Sequence, residues 1–292
     1  MNVRPATRED LPAIAELFGS VEEAINGRPS RLDALAVEGW LHTIAFETNT
    51  WLFEEDGEAV AGAFAQAFGV RGNCAGGVRP SAWDRGLGAQ LLKLMESRLA
   101  EEGVQRIHSW TVAGDARAEE LFGSRGYTEV RRFWEMRVEL ADEIPDPSVP
   151  VEPFAEEEAE SFHAALEESF ADHWEHEPES FDAWWARQRK RENFDPSLWF
   201  VIKDGDEIVG VARNEARPPE GWVGALGVRA EWRGRGFGRA LLLHSFHEFR
   251  RRGMTGAALG VDAANATGAT YLYESVGMRP AEENVVWEKV LS

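Results

Sequence analysis

The chain has a single cysteine, Cys74, in 292 residues. That excludes an internal disulfide and a cysteine metal cluster, and it leaves Cys74 to be read as a small buried residue. No run approaches the roughly 18 apolar residues of a membrane span. The opening residues MNVRPATRED lack the apolar core of a secretory leader. Both absences lead us to expect a cytoplasmic protein with no membrane contact. Basic charge is also scarce, with 31 Lys and Arg against 51 Asp and Glu for a formal net charge of −20. The deficit is even, with 15 basic against 25 acidic residues up to position 150 and 16 against 26 after it. Such a surface repels nucleic-acid phosphates, so no nucleic-acid partner is expected.

What the chain does contain is one pattern written twice. Gly86-Leu87-Gly88 returns as Gly236-Phe237-Gly238, 150 residues on. Val78 and Val228, Gly103 and Gly253, and Asp115 and Asn265 keep the same offset. Leu121-Phe122 and Leu272-Tyr273 stand 151 apart, and Trp51 to Gly62 aligns with Trp199 to Gly210 at 148. A period this long means two copies of one domain rather than a solenoid. The Pro-rich, acidic stretch after Ala141 reads as a linker. The division expected is residues 1–141, a linker at 142–150, and residues 151–292.

Each copy opens with an acidic helix, followed by a hairpin marked by Asp56-Gly57 or Asp204-Gly205. A strand (around Gly76 to Val78, or Val223 to Val228), a glycine turn and a helix come next. In the second copy, Leu242, Phe246 and Phe249 recur at helical spacing, and Gly253 suits the terminator. The class is mixed α/β (α+β).

The turn Val228 to Leu242, VRAEWRGRGFGRALL, carries the chemistry. Gly234, Gly236 and Gly238 permit a sharp bend and close backbone approach to a ligand. The next helix's first N–H groups make an anion site there, and Arg233, Arg235 and Arg239 add charge. A bound pyrophosphate is the physical expectation, beside the plain reading of a glycine-rich connector. The G-x-G-x-G spacing misses the dinucleotide fingerprint, and no G-K-[ST] follows, so neither of those nucleotide loops fits. R-x-x-G-x-G after Leu226-Gly227-Val228 resembles the coenzyme A loop of the GNAT acyltransferase superfamily. Downstream, Asn265, Gly268, Leu272-Tyr273 and Gly277-Met278 resemble that superfamily's second signature, in the right order and after a strand at Ala257 to Val261.

The resemblance implies two GNAT-like domains, each a mixed, mostly antiparallel sheet flanked by helices, with a splayed central strand. It implies acetyl-CoA as cosubstrate, no metal, and transfer to a primary amine of a small molecule or peptide. Main-chain groups of Leu226, Gly227 and Val228 would meet the pantetheine arm, and Arg233 through Arg239, Phe237 included, would hold the pyrophosphate. Tyr273 matches the general acid, and Asn265 either caps its helix or binds the coenzyme. Glu215 and Glu220, just before the strand, are the candidate bases, or else exposed acids of a Pro-rich loop. The tandem arrangement is loosely similar to mycothiol synthase, whose acetylation of an amino-sugar thiol precursor is an alternative. Trp222 stands where that enzyme carries a Glu, which counts against it. A non-catalytic, coenzyme-A-responsive binding protein is the other alternative.

In the first copy Trp83 replaces the first Arg, Asp115 the Asn and Phe122 the Tyr. Phe122 has no proton to give, so this copy reads as structural or regulatory, with coenzyme A binding left open to it. His173 and His176 read as part of a surface or substrate loop rather than a metal site, and Trp184 and Trp185 as core or interface packing before pocket lining. Between Asp172 and Asp182 stand five acids and no Lys or Arg. If unpaired, they would attract a cationic amine.

Overall fold

Asp-Gly turns set the hairpins from which both sheets grow. In a computed structural model, Asp56 and Gly57 both take positive φ (51° and 86°), as a two-residue hairpin turn requires. The structure describes all residues except 31, 33, 42, 43, 192, 266, 267 and 292, and omits the side chains of 35, 36, 39 and 40. Its contacts divide the chain into two units, residues 1–132 with 284–292, and residues 133–283.

The first unit contains β1 (Asn2–Arg4), α1 (Leu11–Asn26), α2 (Ala34–Leu41), α3 (Phe46–Asn49), β2 (Thr50–Glu55), β3 (Glu58–Phe68), β4 (Arg71–Val78), α4 (Leu87–Glu101), β5 (Arg106–Val112), α5 (Ala116–Ser124) and the start of β6 (Thr128–Glu139). Strands β1 to β5 lie in sequence order. All pair antiparallel except β4 with β5.

The second unit takes the rest of β6, then β7 (Glu152–Pro153), α6 (Ala159–Phe170), α7 (Phe181–Arg189), β8 (Trp199–Asp204), β9 (Glu207–Arg217), β10 (Glu220–Val228), α8 (Phe237–Arg251), β11 (Gly256–Asp262), α9 (Ala269–Ser275) and the start of β12 (Arg279–Val290). Again only the central pair, β10 with β11, is parallel.

The outer edge of each parallel pair is filled by a strand from the other repeat. Phe133 to Glu139 pair with β11, and Asn284 to Val290 pair with β5. An open edge there would expose a full row of backbone groups. The repeats of the sequence and the compact units are therefore different divisions of the chain, and residues 142–150 fall inside the second unit.

One face of the second sheet packs on α8, whose Leu242, Phe246 and Phe249 are all buried, as their spacing predicts. Phe249 lies so close to β10 that a Cβ at Gly221 would sit 2.2 Å from its ring. The other face carries an aromatic core in which Phe162 stacks on Trp199 (5.3 Å) and on Trp184 (6.2 Å). Trp184 is thus a packing residue. Each such ring contributes about 1.5–3 kcal/mol on burial.

Candidate active site

The site is built on a strand that leaves its neighbour. β10 pairs with β11 only at Glu220, Gly221 and Trp222, opposite Gly256, Ala257 and Ala258. It then runs on to Val228 beside β9 alone. A bulge shifts the β9–β10 register between Val223 and Ala225, and bulges bend the strand that carries them. Leu226, Gly227 and Val228 pair with Ala212, Val211 and Gly210 on one side, and their other backbone edge faces the gap. α6 seats tightly here, since a Cβ on Gly227 would lie 2.7 Å from that of Ser169.

At the end of β10, Ala230 to Trp232 make one 3-10 turn. Gly234 (φ 77°) and Gly236 (φ 83°) take the left-handed region, and Gly236 is the N-cap of α8. The first α8 carbonyl bond runs from Ala240 N to Gly236 O at 3.0 Å. The N–H groups of Phe237, Gly238 and Arg239 are left at the positive end of the helix, where an anion fits. Arg233 has a second task, donating from Nε to Val228 O (3.1 Å) and from an Nη to Ser169 O (3.2 Å). It ties the turn to α6. Arg235 donates to Glu231 O (3.1 Å) and is exposed, while Arg239 is half-buried. Gly238 also serves packing, because a Cβ would meet Leu272 Cδ2 at 2.9 Å. That contact brings α9 against the start of α8.

Tyr273 lies on α9 and is 8% exposed. Burial pushes its phenol up to about 12, so at neutral pH it holds its proton. Gly268 (φ 76°), not Asn265, is the N-cap of α9. Asn265 instead closes a backbone turn onto Asp262 O at 3.0 Å. In the first unit Asp115 does cap α5, accepting from Ala118 N at 3.2 Å.

Neither candidate base is an exposed loop acid. Glu215 lies within β9, 4% exposed, directly opposite Trp222 where the splay begins. One of its oxygens meets Arg191 (2.8 Å) and Arg213 (2.9 Å). The other meets Arg217 (2.9 Å) and Asn193 Nδ2 (3.1 Å). Burial alone would raise this carboxyl, but the guanidinium groups of Arg191, Arg213 and Arg217 outweigh it and hold it below the usual range. A carboxylate engaged by four donors is a weak proton acceptor. Glu220 opens β10 at its closed end and pairs with Arg137 (2.6 Å). The sequence offered a signal for this cage: Arg213, Glu215 and Arg217 alternate, so a strand puts all three on one face. Pro218 and Pro219, just beyond it, favour a loop instead.

The acidic segment after α6 is not a row of unpaired carboxylates. Glu179 pairs with Arg187 at 2.5 Å, and Glu175 and Glu177 have partners as well. His176 meets Glu167 (3.2 Å). Burial lowers His173, while nearby Asp262 works the other way.

The model of the acetyltransferase (GNAT) family matches residues 14–127 and again 159–278. The chain belongs to this family. Its GNAT relatives include the mycothiol acetyltransferase of Thermobispora bispora, 33% identical over 230 residues (73% of this chain and 74% of the relative). That of Thermobifida fusca is 29% identical over 269 residues (81% and 80%). Among solved structures, a GCN5-related N-acetyltransferase from Sphaerobacter thermophilus superposes with TM-score 0.87 at 30% identity, covering 99% of this chain and 95% of that one. A tandem GNAT protein from the clavulanic acid biosynthesis pathway gives TM-score 0.74 at 15% identity, covering 99% and 98%, and shares the fold. The chain is therefore a tandem GNAT acyltransferase, and among the described residues no helix is long and apolar enough to cross a membrane.

Proposed function

We propose that the second unit moves an acetyl group from acetyl-CoA to a primary amine of a small molecule or peptide. The observation that carries this reading is the combination of an open β10 edge, a left-handed glycine N-cap on α8 and a protonated Tyr273 in one unit. The N–H groups of Phe237, Gly238 and Arg239, with Arg233, Arg235 and Arg239, suit the pyrophosphate. Main-chain groups of Leu226 to Val228 suit the pantetheine amides, and a backbone N–H on that edge would stabilise the oxyanion as the amine attacks. A C–N bond then forms and the C–S bond breaks; the phenol of Tyr273 protonates the departing thiolate, and the proton that the attacking amine loses passes to solvent water, which returns one to the phenol. Asn265, in the turn that follows β11, is the remaining candidate contact to the coenzyme.

The relatives' name raises acetylation of a mycothiol precursor. Against placing that first, the position expected to hold a Glu is Trp222, whose ring lies under the Arg217 guanidinium at 4.4 Å. The direct test is thiol release from acetyl-CoA with a broad panel of amines, with product mass confirming an N-acetyl group. Saturable coenzyme A binding without acetylation of any amine would instead support a non-catalytic, coenzyme-A-responsive protein.

A further inference from the structure

In a protein of net charge −20, the region beside the start of the splay is locally positive. Arg191, Arg213 and Arg217 converge on a single carboxylate, that of Glu215. Arg187 adds a further positive charge nearby but is paired with Glu179. Among the described residues, Glu215 and the carbonyl of Gly224 (3.3 Å from Arg213 Nη2) are the acceptors these three guanidinium groups reach. A guanidinium has five N–H donors, so most of theirs remain available.

The location points to a ligand. Gly224 is the residue at the β10 bulge, and Arg213 bonds its carbonyl where the strand turns from β11. A Cβ on Gly224 would lie 3.1 Å from that guanidinium, so glycine is what lets Arg213 approach. Arg213 is largely buried, and burial pushes it down to about 10. Arg191 and Arg217 are more exposed, with side-chain exposures of 25% and 47%, and Arg217 is spread over Trp222. The three guanidinium groups share one carboxylate, so the cluster keeps a net positive charge that charge-assisted bonds to an anion would complete.

We infer that Arg191, Arg213 and Arg217 bind an anionic group, a carboxylate or a phosphate, carried by the amine acceptor. Glu215 is then a positioning residue that gathers the three guanidinium groups. This rests on the acetyl-transfer reading for what the amine does next, but the anion site itself does not.

The experiment has two arms on the full chain. In the first, matched acceptors are compared by thiol release: alanine against alaninamide, and glucosamine 6-phosphate against glucosamine. An anionic member should show kcat/KM about tenfold or more above its neutral partner, as expected for a charge-assisted hydrogen bond. In Arg217→Gln and Arg191→Gln that ratio should fall about tenfold through KM, with partial recovery in Arg217→Lys. Preference in the carboxylate pair or the phosphate pair identifies the group. The second arm measures binding of succinate and of inorganic phosphate by calorimetry with coenzyme A saturating, so that the turn is filled. One of them should bind the wild type and bind Arg217→Gln at least tenfold more weakly. Equal rates for charged and neutral acceptors, or anion binding absent or unchanged in both variants, would overturn the inference. If no amine is acetylated but the anion still binds through these arginines, the acetyl-transfer reading fails and the anion site stands.

Discussion

In the second unit Arg233 donates from Nε to Val228 O at 3.1 Å, and in the first Trp83 donates from Nε1 to Val78 O at 2.7 Å. The bond that closes the turn is the same, but the charge is gone. Arg85 is held bidentate by Glu55, and where the second unit has Gly234 the first has Asp84, at φ 60°. An aspartate here would repel the pyrophosphate that we propose for the second turn. Arg117, over the Trp83 ring at 4.2 Å and 3.6 Å from Asp84, answers that acid's charge. Both units splay, since β4 pairs with β5 only from Arg71 to Cys74. Yet the β3–β4 ladder runs from Val78 to Arg71 with no bulge. The turn and its helix persist in both units although the turn side chains differ, because Leu91, Leu92, Met95 and Leu99 in one and Leu242, Phe246 and Phe249 in the other bury the helix face in the core.

At a 148-residue offset, Ala65 and Ala67 of the first unit stand where the second has Arg213 and Glu215. The sharpest break in the comparison should come from Glu215→Gln. Removing one partner of a buried ion cluster leaves unpaired cations, at about 3–5 kcal/mol, to be read by urea unfolding near pH 7. Ala67→Gln should cost much less. The sign with pH follows from the lowered carboxyl. Its stabilisation is present above the ordinary carboxylate range, near pH 4, and is lost as pH falls through the lower folded value. The stability difference between wild type and Glu215→Gln should therefore narrow in acid.

Next in size is coenzyme A binding. Gly236→Val puts a β-branched residue in the left-handed region at the anion site and should weaken binding by about 100-fold or more, the worth of two charge-assisted bonds. The matching Gly86→Val should leave affinity unchanged, and calorimetry should give one coenzyme A per chain. A second site, or a loss on Gly86→Val, would erase the asymmetry. Gly238→Val is a poorer probe, because its side chain would strike Leu272.

Smaller again is the effect of Tyr273→Phe, about tenfold on kcat with coenzyme affinity nearly intact. Phe122 sits 5.0 Å from Tyr127 and stacks on Trp287 at 5.7 Å, so Phe122→Tyr should destabilise the first unit without adding activity. The smallest effect is on the pH profile. With its phenol near 12, Tyr273 should impose no alkaline fall in kcat below about pH 10, and a fall at lower pH that vanishes in Tyr273→Phe would contradict its protonated role.

The repeat, the hairpins, the glycine turn and the asymmetry of Phe122 and Tyr273 were legible in the sequence, because each depends on local chemistry. Positive φ selects glycine, alternation selects strands, and a phenyl ring carries no proton at any position. Tertiary structure decided what depends on partners far along the chain. Glu215, expected as an exposed acid or a base, became an arginine-caged anion because Arg191 arrives from beyond α7. Glu220 was tied to Arg137, and the strand closing each parallel pair came from the other repeat. Asn265 lost the cap to Gly268 because α9 begins only at Ala269. Local propensity sets backbone shape residue by residue, whereas ionisation and strand pairing are settled by which distant groups the fold brings within a few ångströms.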